Sequence, residues 1–161
     1  MNVPQSTKSK QDWQTPAKLI CAIRAMGFNV QWDCTAKNGK VAPGLDYQCA
    51  WDGLIRSWCR YDEPPLWWNF WNPPFRDIAT WVCKAEAEFN VGAHSVGVAP
   101  ANIETVWAGD VLACHGTLYV LSPRINFTGG KGSSAPHATM LIVFGDKEEN
   151  RGKIFRHRWK P

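Results

Sequence analysis

The chain has 161 residues, 45% of them hydrophobic, with 18 basic and 14 acidic side chains and a net charge of +4. That length suits one domain with tails. No apolar run is long enough to cross a bilayer, and the polar start MNVPQSTKSKQ is not a signal peptide, so a cytoplasmic protein is expected. The mild basic excess permits a nucleic-acid partner without demanding one.

Residues 1–11 read as a disordered segment. In DWQTP, Thr15 is placed to cap a helix and Pro16 to open it. Leu19, Ile20, Ile23 and Met26 supply the apolar stripe, and Gly27 ends it. FNVQWDC alternates as a strand, with Phe28, Val30, Trp32 and Cys34 on one side. Residues 35–50 carry the turn signals Asn38-Gly39 and Pro43-Gly44. AWDGLIRSW is a short element of open type. EPPLWWNFWNPP reads as a strand ending at its prolines, followed by a helix from Asp77 to Phe89 with Ile78, Trp81, Val82, Ala85 and Phe89 on one face. AHSVGVAPA is a strand, and Glu104 to Cys114 a helix. TLYVLSPRINF and HATMLIVFG are two strands joined by the Gly- and Ser-rich loop TGGKGSSAP. Residues 147–161 form a basic tail, either a solvated end or a phosphate-contacting one.

Six cysteines stand singly with no C-x-x-C pair, which indicates thiols in a reducing compartment. The four histidines lack metal-ligand spacing, so no metal is expected. Ten tryptophans outnumber seven phenylalanines. Most should pack the core, and a minority are available to stack on bases or on an adenine-containing cofactor. The order of elements is that of an α/β fold with a parallel crossover between the strand at Leu66 and the strand at His94. Ligands of such sheets gather at the carboxyl ends of the strands. DCTA, NPPF and APAN all fall there.

NPPF after an apolar strand resembles motif IV of amino-group methyltransferases. The ordered set DWQTP, WDCTA, WNPPF, VAPA and PRINF resembles the phage-type DNA N6-adenine methyltransferase family over residues 12–144. The resemblance implies a Rossmann-like methyltransferase domain over 12–146, with a mostly parallel central sheet ending in an antiparallel hairpin. It implies S-adenosylmethionine as cofactor, and as substrate an adenine flipped out of double-stranded DNA, in the cytoplasm of a bacterial host.

In that family the amide oxygen at the position of Asn72 and the carbonyl of Pro73 accept the two hydrogens of the target amine. Pro73 and Pro74 stiffen the loop, and Phe75 offers a stacking face. Asp33, Cys34, Thr35 and Ala36 fall where the cofactor's methionine part passes the first strand. Trp13, Thr15 and Pro16 fall at its amino-acid end, and Asp52 near its adenine, with Asp46 the second carboxylate in view. Arg76, Arg124 and Lys131 are expected as phosphate contacts. The chain departs from most methyltransferases in having no Gly-rich turn before Gly39. Acceptors in RNA or a protein glutamine amide remain open, as does a methyltransferase fold that only binds nucleic acid. A short or relaxed target sequence, read through loops such as 127–136, is expected.

Overall fold

The computed structural model describes residues 14–36, 41–47, 53–59, 67–127 and 137–160. Among these residues, seven strands form one sheet: β1 (Val30–Asp33), β2 (Asp46–Tyr47), β3 (Trp68–Trp71), β4 (Ser95–Pro100), β5 (Thr117–Ser122), β6 (Thr139–Phe144) and β7 (Ile154–Arg158), in the order β2-β1-β3-β4-β6-β5-β7. β1 pairs in parallel with β2 and β3, β3 with β4, and β5 with β7, whereas β6 runs antiparallel to both β4 and β5. The expected β5–β6 antiparallel pair is present, but it does not end the sheet. β6 is inserted beside β4, and β7 occupies the edge. Residues 154–158, expected in a tail, are therefore a strand in register with the whole of β5. Its alternating half-buried and exposed positions gave a weak period-2 signal, masked by five cations in ten residues.

Among the described residues, three α-helices cover the faces: α1 (Ala17–Ala25), α2 (Ile78–Asn90) and α3 (Val106–Ala113). Leu19, Ile20 and Ile23 of α1 pack on Phe70, Val96, Leu121 and Leu141. Trp81, Val82, Ala85, Ala108 and Val111 of the other two helices pack on Trp71, Leu118, Ile142 and Phe144. Arg24 ties α1 to the sheet by donating to the carbonyls of Val30 and Gly44. Of the eight described tryptophans, Trp58, Trp71, Trp81 and Trp159 are buried and Trp68 and Trp107 pack half-buried against the core, whereas Trp67 is exposed. Trp58 lies between Trp71 and Trp81, with ring centroids 6.4 and 6.3 Å away. Gly97 faces Trp71 across the β3–β4 pair, and a Cβ there would sit 2.2 Å from the indole. An isolated glycine in a strand marks such a close approach.

Three local expectations are corrected. Pro16, not Thr15, stands at the helix cap of α1, and no side chain caps that helix. Glu88 is not among the residues expected on the buried face of α2, yet it is buried because it accepts from Trp58 N at 2.8 Å, Ser57 Oγ at 3.2 Å and Lys84 Nζ at 2.5 Å. β5 stops at Ser122 rather than running to Phe127, since Pro123 has no N–H for the ladder. The described cysteines, Cys21, Cys34, Cys59, Cys83 and Cys114, are thiols. Among the described residues, no helix is long and apolar enough to cross a membrane.

His94, just before β4, places its ring 5.0 Å from that of Trp68 and 6.4 Å from that of Phe89. Burial lowers its pKa below the ordinary 6.5, and the Arg151 charge adds to this. The unfolded chain therefore takes up a proton before the folded one does. His94 contributes stability above pH 6.5, and that contribution is lost as the pH falls from 6.5 toward the folded value. In urea unfolding at about pH 7.5 and about pH 5.5, His94→Phe is expected to lose less stability on acidification than the parent. Equal losses would show that the ring is protonated in the fold without penalty.

Candidate active site

β1 delivers Asp33 to the carboxyl edge of the sheet with its side chain buried, at 5% exposure. Its Oδ1 accepts from Thr35 N at 2.9 Å and Thr35 Oγ1 at 2.8 Å, and its Oδ2 accepts from Ala42 N at 2.8 Å. The first bond closes an Asx-type turn over Cys34. The turn has no positive φ at Cys34, Thr35 or Ala36, which is why it needs no glycine. Burial raises the Asp33 pKa above 3.8, opposed by the bonds from Ala42, Thr35 and Ala36. The three donors all suit a carboxylate.

The turn is clasped from two sides. Cys34 N donates to Phe70 O at 2.8 Å, extending the β1–β3 pairing beyond Asp33. Gly53 packs onto the Cys34 carbonyl, where a Cβ would lie 2.0 Å from the oxygen. That close approach is the physical reason for a glycine in AWDGLIRSW, and no local pattern in those nine residues signals it. Below the turn, Cys34 Sγ donates to Asn69 Oδ1 at 3.6 Å, and Asn69 Nδ2 donates to His94 O at 3.0 Å and Trp58 O at 3.3 Å. Asn69 thus crosslinks β1, β3 and the entry to β4. It too escaped notice, hidden in an aromatic run.

At the end of β3, Asn72 N donates to Thr35 Oγ1 at 2.9 Å, and Asn72 Nδ2 donates to Thr15 Oγ1 at 3.0 Å. Thr15 is buried, so its hydroxyl serves this contact rather than the helix. Three segments far apart in sequence, DWQTP, WDCTA and WNPPF, meet at one asparagine. Because Nδ2 is engaged, Oδ1 points away from Thr15, and no described residue donates to it. The Pro74 carbonyl accepts from Asp77 N at 2.9 Å, which starts the single 3-10 turn Phe75–Asp77 leading into α2. No described residue donates to the Pro73 carbonyl. Phe75 is half-buried, and Arg76 is exposed beside Asp77, Nε to Oδ2 3.3 Å.

Thr15, Asp33, Thr35 and Asn72 are therefore brought together, with Pro16, Cys34, Ala36 and Pro73 to Phe75 alongside in the chain. Arg124 is exposed just beyond β5, three strands from β3, and does not join them. Asp46 starts β2, in register with Trp32, and its carboxylate accepts from Gln31 Nε2. Trp13, Asp52 and Lys131 lie outside the described residues, as does most of the loop 127–136. In chemical terms, the cluster holds two acceptors to which no described residue donates, the Asn72 amide oxygen and the carbonyl of the buried Pro73, with a half-buried aromatic ring nearby. The one carboxylate in the cluster is already bonded internally.

A mixed α/β sheet with this cluster at the carboxyl ends of its strands is compatible with a methyltransferase fold. The family model for DNA N-6-adenine-methyltransferase (Dam) matches residues 3–157. The chain belongs to that family and is an adenine-specific DNA methyltransferase. No curated protein and no solved structure matches it.

Proposed function

We propose that the chain transfers a methyl group from S-adenosylmethionine to the exocyclic amine of an adenine flipped out of duplex DNA, at the site built around Asn72. The observation that carries this reading is the pair of hydrogen bonds converging on Asn72, from its N–H to Thr35 and from its Nδ2 to Thr15. They leave Oδ1 oriented as an acceptor. The adenine amine is a weak nucleophile because its lone pair is delocalised into the ring. Two acceptors, Asn72 Oδ1 and the Pro73 carbonyl, would hold its hydrogens and draw the nitrogen toward a tetrahedral, nucleophilic form. With the amine held in that form, a cofactor lying against Thr15, Pro16 and the Cys34–Ala36 turn would supply the electrophilic methyl group and leave as a neutral thioether, the displaced amine proton passing to solvent. No strong base is needed at the nitrogen.

The residues present fit the cofactor. The turn Cys34–Ala36 is fixed in shape by its internal bonds, with Thr35 and Ala36 half-buried at the strand end. Thr15 and Pro16 lie across from it, within one hydrogen bond of Asn72. Asp46, exposed on the neighbouring β2, is the described carboxylate placed for ribose hydroxyls. When bound, the sulfonium supplies an electrophilic methyl group. Asp33 acts as a positioning residue, because its oxygens serve Thr35 and Ala42 rather than a ligand. The arrangement of parallel strands ending around β6 supports a Rossmann-like reading of the sheet. Arg76, Arg124 and Lys131 are assigned to phosphates.

The reading is tested by incubating the purified chain with methyl-labelled S-adenosylmethionine and, separately, duplex DNA, RNA and protein. Label recovered as N6-methyladenine from duplex DNA is the expected result. Label in RNA or protein alone would overturn the acceptor, and no binding of the cofactor in calorimetry would overturn the donor. Phe75→Ala is expected to weaken capture of the target base by the equivalent of about 1–3 kcal/mol of lost stacking, whereas Phe75→Trp keeps the flat face and most of the activity. If both variants behave alike in single-turnover assays, Phe75 is not the stacking residue.

A further inference from the structure

The last ten described residues, Arg151 to Lys160, carry five cations and no acid. They are held firmly in the fold. β7 is in parallel register with β5 from Leu118 opposite Ile154 to Ser122 opposite Arg158. Just beyond, Trp159 is buried; its N–H donates to Ser122 O at 2.9 Å, and its indole Nε1 donates to Pro123 O at 2.7 Å. This anchor places Arg158 and Lys160, both exposed, on either side of a fixed residue at the carboxyl edge of the sheet. That is the edge that carries Asn72. Arg156 is exposed one pleat earlier. Among the described residues, none of the three has a carboxylate partner. Lys18, at the start of α1, lines the same 560 Å³ hollow as Arg158 and Lys160.

We propose that Arg156, Arg158 and Lys160, with Lys18 beside them, form a second DNA contact that grips the duplex backbone at a distance from the reacting base. The distance follows from the topology. β7 stands four strand spacings from β3, about 19 Å at 4.8 Å per strand. A duplex laid along the carboxyl edge, with its target adenine at Asn72, advances 3.4 Å per base pair. The basic cluster then meets phosphates about six base pairs to one side. Charged side chains also guard exposed strand edges against pairing. That role accounts for Arg156 but asks nothing of Lys18 or Lys160, which lie off the strand. The proposal rests on the reading of Asn72 as the base site only for the six-base-pair offset.

The test is equilibrium binding, without cofactor, to fluorescent duplexes carrying one adenine target and either about four or about twelve base pairs on each side. The parent is expected to bind the longer duplex tenfold or more tightly. Arg158→Gln/Lys160→Gln should lose most of that advantage, and its slope of log affinity against log salt should fall by about 0.9 for each phosphate contact removed. The control Lys147→Gln/Lys153→Gln removes two charges at the opposite edge of the sheet and should leave both readouts at parental values. Retention of the length advantage and salt slope in the first variant would overturn the proposal. So would an equal loss in the control, which would show an effect of net charge alone. Free inorganic phosphate competing at millimolar concentration would point to a small-anion site instead. The active-site reading fails separately, if Asn72→Ala transfers methyl groups at the parental rate while the length preference is intact.

Discussion

Asn72→Ala is expected to lower single-turnover methyl transfer to duplex DNA by about 10²-fold or more, on the analogy of removing one oriented group that stabilises developing charge. Affinity for S-adenosylmethionine should change little, because the bond from Asn72 N to Thr35 Oγ1 is a backbone bond that alanine keeps. The loss should therefore fall on turnover at saturating cofactor rather than on cofactor binding. Thr15 offers an independent check on the same geometry. Its hydroxyl accepts from Asn72 Nδ2 at 3.0 Å and so decides which way Oδ1 faces. Thr15→Val removes that bond and should reduce turnover, though less than Asn72→Ala. Thr15→Ser keeps the hydroxyl and should restore most of the rate. If Asn72→Ala reacts at the parental rate, NPPF is a structural turn and the chemistry lies elsewhere.

Asp33→Asn is expected to cost about 1–3 kcal/mol of stability and to weaken cofactor binding together with it. The replacement keeps one acceptor oxygen but turns an NH2 toward one of the buried donors, Ala42 N or Thr35 N, and leaves that donor unsatisfied. The turn that Asp33 closes also holds Thr35, and Thr35 holds Asn72, so one substitution reaches both the segment proposed for the cofactor and the segment proposed for the base. The sign with pH is fixed by the raised pKa. The folded state protonates Asp33 at higher pH than the unfolded state does, so the parent gains stability relative to Asp33→Asn as pH falls through the folded value toward 3.8. Urea unfolding of both proteins across that acidic range measures the gap. A gap that narrows on acidification would mean that the three donors outweigh burial and hold the carboxyl below its ordinary value.

Several features were legible before any coordinates. NPPF, DCTA and the apolar strands before them are local patterns, and the physics that sets them is local too. Proline removes an N–H and fixes φ, alternation sets strand faces, and a 3.6-residue stripe sets helix faces. The α/β order of elements, the β3–α2–β4 parallel crossover, the α2 face and the β5–β6 antiparallel pair followed from such patterns. So did the placing of DCTA and NPPF at one edge, because parallel strands linked by helices end on the same side.

What the chain could not disclose by itself depends on contacts between segments distant in sequence. Thr15 reads as a helix cap in its own neighbourhood, yet it serves Asn72, 57 positions away. Asp33 alternates as an outward residue, yet it is buried because Thr35 and Ala42 bring donors to it. Glu88 sits on the polar side of a helix until Trp58 N and Lys84 meet it. The basic end reads as a tail until β5 supplies unpaired backbone groups for β7 and Ser122 and Pro123 supply acceptors for Trp159. In each case the local sequence permits two states of a polar group, solvated or buried and paired. Only a partner supplied by the tertiary fold repays the cost of removing that group from water, and the partner's position is not encoded in the flanking residues.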